Sequence, residues 1–367
     1  MNTQAWLQRV WARRGPLAWA LRPLSALYRA LAARQRQAYA AGRRPIERPA
    51  VPVVVVGNWI VGGAGKTPTL LALLQRLQAW GWRAGVVSRG YGRRSQGVRV
   101  AGPGSTADEL GDEPLLIHRR SGVPLAVGQD RGEAARALLA AHPDIQILLS
   151  DDGLQHHRLA RDLSILVFDG RGLGNGWLLP AGPLRQDHTP PPLPGSRAAQ
   201  LVLYSEGQAS TALPGFVAQR RLAGALPLAD WWGGPPQPLV PLTELRGRRL
   251  LAAAGLARPQ AFFEMLRAAG LDIEPLPLPD HFGFEQLPWQ GDAELLLTEK
   301  DAAKLPPERL ARGQRAWVLP LDLQPEPAFD AALLQHLQPL LGPAPNGPTP
   351  DRTAGLPPVQ GPAATQP

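Results

Sequence analysis

A chain of 367 residues with 44% apolar residues, 11 Trp and no Cys is long enough for two buried cores and can hold neither a disulfide framework nor a thiolate metal site. Its net charge of +9 sits wholly at the start: residues 1–49 hold ten Arg against one acid, Glu47, and the rest of the chain carries 29 basic and 29 acidic side chains. That balance argues against a nucleic-acid groove spread over the fold, and the lack of Cys is compatible with a reducing cytoplasm.

Within residues 1–49, Leu17, Leu21, Leu24, Leu27, Tyr28 and Leu31 recur at helical spacing, while Arg22, Arg29 and Arg36 fall seven apart on roughly one face. The spacing predicts a basic amphipathic helix, with Trp6, Trp11, Trp19 and Tyr28 suited to the headgroup region of an anionic bilayer. No uncharged apolar run of about 18 residues is present, so no spanning helix is expected, and no small-residue cleavage site suggests a signal peptide.

The apolar run Val51 to Val56, broken only by Pro52, predicts a buried parallel strand. A glycine-rich loop follows, then "TPTLLALLQRLQAWG", a helix with Pro68 in its first turn and Gly81 past its end. The whole stretch, "VPVVVVGNWIVGGAGKTPT" at 51–69, ends like a phosphate loop, but Ile60 stands where the first Gly of Gly-x4-Gly-Lys-Ser/Thr is expected. The chemistry survives that departure. Gly62, Gly63, Ala64 and Gly65 let backbone amides converge on phosphate oxygens, Lys66 reaches the terminal phosphates, and the Thr67 hydroxyl is placed for magnesium.

Further strands and helices alternate after the loop: "WRAGVVSRGYG", "PLAVG" before "DRGEAARALLAAH", "IQILLSDDG" at 145–153 and "LSILVFDG" at 163–170. The alternation predicts an α/β fold, a doubly wound, mainly parallel sheet of the P-loop NTPase type. Four segments are expected: a membrane-associated helix over 1–49, the P-loop domain over 50–240, a second, smaller α/β lobe over 241–341, and a disordered Pro-rich tail over 342–367.

An acidic group at the end of a neighbouring strand completes such a site, and Asp151 and Asp152 occupy that position, with His156 and His157 just beyond. Transfer to a hydroxyl also needs a base. Asp112 and Glu113 in "ELGDEPLL" and His281 in "LPDHFGF" are candidates, an Asp–His pair being a common proton acceptor. A dimeric ATPase switch of the KGGxGKT kind would need Lys where Val61 stands, and "TEKD" at 298–301 does not match the Asn-Lys-x-Asp guanine motif of GTPases.

The blocks "GGAGKTP", "GVVSRGYG", "GDEP", "LLSDDGLQHHRLARD", "GNGWLLPAGPLR", "AGLARPQAFF", "PDHFGF" and "LTEKDAAK" resemble, in this order, the tetraacyldisaccharide 4'-kinase family of lipid A biosynthesis, from about Pro16 to about Leu321. That family's loop also lacks the first Gly. The resemblance implies ATP- and magnesium-dependent transfer of a γ-phosphate to the 4'-hydroxyl of a tetraacylated glucosamine disaccharide 1-phosphate. It further implies a peripheral place on the cytoplasmic face of the inner membrane, against its anionic surface. By the same resemblance, Lys66 and Thr67 contact phosphate and magnesium, and Asp151 and Asp152 match the acidic pair after the strand; these two carboxylates and Glu113 are the candidate metal ligands. Asp112 is then the base paired with His281, and Arg185 stabilises transferred charge. Gln186 stands where many members have Glu, which sets aside a metal role there. Arg89, Tyr91 and His156 are candidate lipid contacts, with the 1-phosphate as the group the arginine meets.

Overall fold

The computed structural model describes residues 3–187, 191–197, 199–233, 238–256, 258–280, 282–291 and 293–346. His281 and residues 347–367 of the Pro-rich tail lie outside the described residues.

The chain opens with three helices, α1 (Thr3–Ala12), α2 (Pro16–Ala20) and α3 (Arg22–Ala40). Strand β1 (Val53–Gly57) and helix α4 (Lys66–Ala79) flank the glycine-rich loop. Then come β2 (Ala84–Ser88), β3 (Arg99–Val100), α5 (Ala107–Leu110), α6 (Asp112–Ser121), β4 (Leu125–Val127), α7 (Arg131–Ala141), β5 (Ile147–Asp151) and β6 (Leu163–Phe168). The middle of the chain gives β7 (Gln200–Tyr204), β8 (Phe216–Leu222), β9 (Leu226–Pro227) and α8 (Leu228–Gly233). The last part gives β10 (Leu250–Ala254), α9 (Pro259–Ala268), β11 (Ile273–Pro277), β12 (Glu294–Thr298), α10 (Glu299–Ala302), β13 (Ala316–Leu319), β14 (Leu321–Pro325) and α11 (Pro327–Leu341).

Nine strands form one sheet in the order β14-β8-β7-β6-β1-β5-β2-β4-β3, parallel from β8 through β4 with antiparallel strands at both edges. This is the expected doubly wound α/β sheet. Both faces of its centre are covered, which is why β1 reads as an unbroken apolar run. Val54 and Val56 pack with Leu70, Leu74 and Leu77 of α4 and Phe329 and Leu333 of α11, whereas Val53 and Val55 pack with Leu148 and with Leu138 of α7.

A smaller sheet follows the order β11-β10-β12-β13-β9, parallel except for β9. The two sheets exchange chain. Strand β9 leaves the run of the large sheet to pair with β13, and β14 returns from the small sheet to pair with β8.

The N-terminal segment departs from the single amphipathic helix expected. It is three helices, because Gly15 and Pro16 interrupt the chain after α1 and Pro23 opens α3. Polar bonds hold them to the 175–185 region: Trp11 Nε1 donates to the Pro180 carbonyl at 2.9 Å, Ser25 Oγ to the Leu178 carbonyl at 2.9 Å, and Tyr28 Oη to the Arg185 carbonyl at 2.7 Å. Leu17, Trp19, Leu24, Leu27 and Leu31 stay exposed, five of the eight exposed large apolar side chains among the described residues. Among those residues, no helix is long and apolar enough to cross a membrane.

Candidate active site

The phosphate loop is shaped by side chains that take its carbonyls. Asn58 Nδ2 donates to Gly62 O at 3.2 Å, Arg171 donates to Val61 O at 3.3 Å and to Gly63 O at 2.7 Å, and Ser205 Oγ donates to Ala64 O at 3.0 Å. A loop whose carbonyls are drawn outward in this way turns its amides the other way, toward a phosphate at the start of α4. Gly65 is required on two counts: its φ is +86°, and an added Cβ would come within 2.8 Å of Ser205 Oγ.

Ile60 now has a physical reason. It is buried beside Trp59 and bridges antiparallel to Leu184, with the Val61 amide donating to Pro183 O at 2.9 Å and the Arg185 amide to Trp59 O at 2.7 Å. The first half of the loop is thus a short strand-like pairing, and a large apolar side chain anchors it.

Two acids with opposite environments face the loop. Asp151 ends β5, accepts from Ser88 Oγ at 3.1 Å, and leaves its buried Oδ1 without a hydrogen-bond partner. Burial, reinforced by the charges of Glu113 and Asp152, pushes its carboxyl up to about 6. Burial acts on Asp152 in the same sense, but Lys66 and Arg185 outweigh it and hold that carboxyl below its usual range. Arg185 Nη1 contacts both oxygens of Asp152 at 3.0 and 2.9 Å, and Lys66 Nζ lies 3.7 Å from Oδ1 and 3.3 Å from Asn58 Oδ1. Asp152 also holds a φ of +45°, an uncommon conformation that sets the turn out of the strand.

Asp112 and Glu113 open α6, and the structure brings two of the three expected lipid contacts, Arg89 and Tyr91, to the same place. An added Cβ on Gly92 would sit 3.6 Å from Asp112 Oδ1, and one on Gly111 would strike the Tyr91 carbonyl, so the turn carrying Arg89 and Tyr91 lies against the start of α6. Asp112 is buried and Tyr91 is exposed. Glu113 Oε1 is 3.4 Å from Lys300 Nζ, which also stands 3.7 Å from Asp280 Oδ1. His156 takes a different part: its Nε2 accepts from the Arg131 amide at 3.3 Å, and burial together with the Arg131 charge lowers its pKa to about 4, keeping the ring neutral. Gln186 Oε1 accepts from Gln155 Nε2 at 2.9 Å. A cavity of about 240 Å³ is lined among others by Arg36 of α3, Trp59, His157, Arg161 and Gln186.

Sequence reasoning missed the supporting cations. Arg131, buried, donates to the carbonyls of Asp151 and Asp152 at 3.1 and 2.9 Å. Arg171, which shapes the phosphate loop, is held by Asp169 at the end of β6, and Asp169 also takes Arg258 from the small-sheet side at 3.1 Å. "LVFDG" carried the one available signal, an acid at a strand's carboxyl end.

Magnesium fits these residues. Among the described residues no group of three His, Cys, Asp or Glu side chains forms a metal cage, and Mg²⁺ does not ask for one: it takes one or two carboxylates, with waters and substrate phosphates completing the shell. The unpartnered Asp151 Oδ1, close enough to Glu113 and Lys66 to feel their charges, is such a donor, and Thr67 follows Lys66 in the first turn of α4.

Comparison with known proteins adds to this geometry. The family model described as tetraacyldisaccharide-1-P 4'-kinase matches residues 17–338. The chain belongs to this family. Among tetraacyldisaccharide 4'-kinases, that of Methylibium petroleiphilum is 54% identical over 92% of this chain and 94% of its own. That of Leptothrix cholodnii is 50% identical over 90% and 95%. A crystal structure described as the "apo" form of LpxK from Aquifex aeolicus in complex with ATP aligns with a TM-score of 0.72 and 27% identity, over 87% of this chain and 99% of that one. A nucleotide in that tetraacyldisaccharide-1-P 4'-kinase agrees with a phosphate loop built as this one is.

Proposed function

We propose that this protein is a tetraacyldisaccharide 4'-kinase, transferring the γ-phosphate of ATP to the 4'-hydroxyl of a tetraacylated glucosamine disaccharide 1-phosphate. One observation carries the reading: Lys66 of the phosphate loop, the Asp151–Asp152 pair and the acidic start of α6 meet at the carboxyl end of β5, in the middle of the large sheet. Family membership and the names of the close relatives support the choice of acceptor.

In this reading Lys66 and the loop amides orient the β- and γ-phosphates, and Arg185 meets the charge that moves onto the transferred group. The acceptor oxygen bonds to the γ-phosphorus, the bond from phosphorus to the bridging oxygen of ADP breaks, and Asp112 takes the hydroxyl proton. His281 would pair with Asp112. Magnesium, held by Asp151 and Thr67 with Glu113 near, would neutralise phosphate charge when bound. Asp152, occupied by Arg185 and Lys66, serves to place those two cations.

We infer also that the protein lies on the cytoplasmic face of the inner membrane as a peripheral protein. The exposed apolar side chains of α2 and α3 stand among arginines, as an interfacial helix requires, and the Tyr28–Arg185 bond links that surface to the site. Arg89 and Tyr91 beside Asp112, and the basic cavity with Arg36 and Arg161, are the two candidate places for the anionic parts of the lipid. An assay with γ-labelled ATP, magnesium and the disaccharide 1-phosphate in detergent tests the reading. Label in lipid supports a kinase; label released only as free phosphate supports an ATPase switch.

A further inference from the structure

Helix α10 follows a strand of the small sheet, yet its first two residues both reach α6, the helix of the large sheet that begins with Asp112. Glu299, buried, accepts from Arg120 Nη1 at 2.5 Å, close to the carboxyl end of α6. Arg120 also donates to the Leu321 carbonyl at 3.1 Å and pairs with Asp322. Lys300, the next residue, stands 3.4 Å from Glu113 Oε1 at the amino end of α6 and 3.7 Å from Asp280 Oδ1, in the segment beyond β11. Consecutive residues of one short helix therefore grip both ends of α6.

The two grips differ in kind. Arg120 with Glu299 and Asp322 is a part-buried guanidinium on two carboxylates, which fastens the two sheets together. Lys300 is a compact charge with three donors, able to face two carboxylates on different segments at once. Its side chain is 18% exposed and that of Asp280 17%, so solvent screens this contact less than at the surface, whereas the Glu113 side chain is more open. Burial works to discharge Lys300, and Glu113, Asp280 and Asp112 outweigh it, so it stays protonated between them.

We propose that Lys300 is a positioning residue for phosphoryl transfer: by bridging Glu113 and Asp280 it sets the acid-bearing start of α6 against the segment of the small sheet that faces it. This rests on the kinase reading above. Lys300 acts through α6, by its contacts with Glu113 and Asp280. Because the Arg120 cluster already joins the two sheets, removing Lys300 leaves them joined and loosens only the acidic end.

The test compares the full chain with Lys300→Met and Lys300→Arg, measuring kcat and both KM values with ATP, magnesium and the disaccharide 1-phosphate in detergent, beside thermal unfolding. Loss of alignment at the reacting groups lowers kcat for Lys300→Met on the order of 100-fold, with the KM for ATP within about threefold of the unmodified chain. Lys300→Arg, keeping the charge, recovers at least about a tenth of the lost rate. A kcat for Lys300→Met within about twofold of the unmodified chain overturns the assignment, as does a loss that falls on the KM for ATP instead. If Lys300→Met fails to fold, Lys300→Arg decides alone: folded with a measurable kcat and an unchanged ATP KM it supports the role, and unfolded it makes Lys300 a folding residue and overturns it. The unmodified chain keeps the two readings apart, since failure to label lipid there sinks the kinase reading itself, whereas labelling there with full activity in Lys300→Met sinks only the role of Lys300.

Discussion

Arg185 grips Asp152 with one nitrogen on both carboxylate oxygens, at 3.0 and 2.9 Å, while its own backbone is tied to the phosphate loop through Trp59 and to α3 through Tyr28. One residue thus joins the loop, the acid pair and the N-terminal helices. In the proposed kinase reading, replacing it removes a preorganised cation from the place where charge moves, so Arg185→Ala is expected to lower kcat by about 10²–10³-fold, with a smaller change in the KM for ATP. Steady-state kinetics checks this, and a loss below about fivefold would remove Arg185 from the transfer step.

Asp151 gives a prediction in which activity and stability move oppositely. Its carboxyl titrates at an ordinary 3.8 in the unfolded chain and at about 6 in the fold, so between those values the folded state holds a proton that the unfolded state has released. The sign follows: stability falls as pH rises through that window, by at most about 3 kcal/mol. Asp151→Asn is therefore expected to raise the melting temperature of the nucleotide-free protein at pH 7, with the gain fading toward pH 4, while phosphoryl transfer collapses. A variant less stable than the unmodified protein at pH 7 would contradict this.

Restoring the generic motif should harm this loop. Ile60→Gly recreates Gly-x4-Gly-Lys-Thr on paper but empties a site that is 1% exposed and unpins the pairing with Leu184. The expected cost is about 3–5 kcal/mol in denaturant unfolding, with no gain in ATP affinity.

These cases show what was legible. Strand β1, the amides of residues 62–67, the acids after β5 and the acids opening α6 all carry local signals, because glycine spacing and strand-end carboxylates are constraints of adjacent residues. Arg131, Arg171, Arg258 and Lys300 carry none: an arginine 110 residues from Val61 has no spacing that announces the bond. The exchange of β9 and β14 between sheets was hidden for a similar reason, since each strand is short and its partner is set by tertiary packing. In the N-terminal segment the apolar spacing was real, but Leu24, Leu27 and Leu31 face outward, and small or polar Ala18 and Ser25 face the protein.

That outward face yields its own prediction. Leu24→Ser combined with Leu27→Ser and Leu31→Ser is expected to weaken cosedimentation with phosphatidylglycerol vesicles at least about tenfold, without lowering the melting temperature, because the leucines are exposed in the free protein. Unchanged vesicle binding would take the membrane role away from α3.

The most direct test is the position of the new phosphate. The unmodified chain, given ATP, magnesium and the tetraacylated disaccharide 1-phosphate, is expected to yield a bisphosphorylated lipid whose second phosphate sits on the 4'-oxygen by phosphorus NMR, and Asp112→Asn is expected to bind ATP yet yield almost none. Phosphate found elsewhere on the lipid, or ATP hydrolysed with no lipid product, would contradict the account.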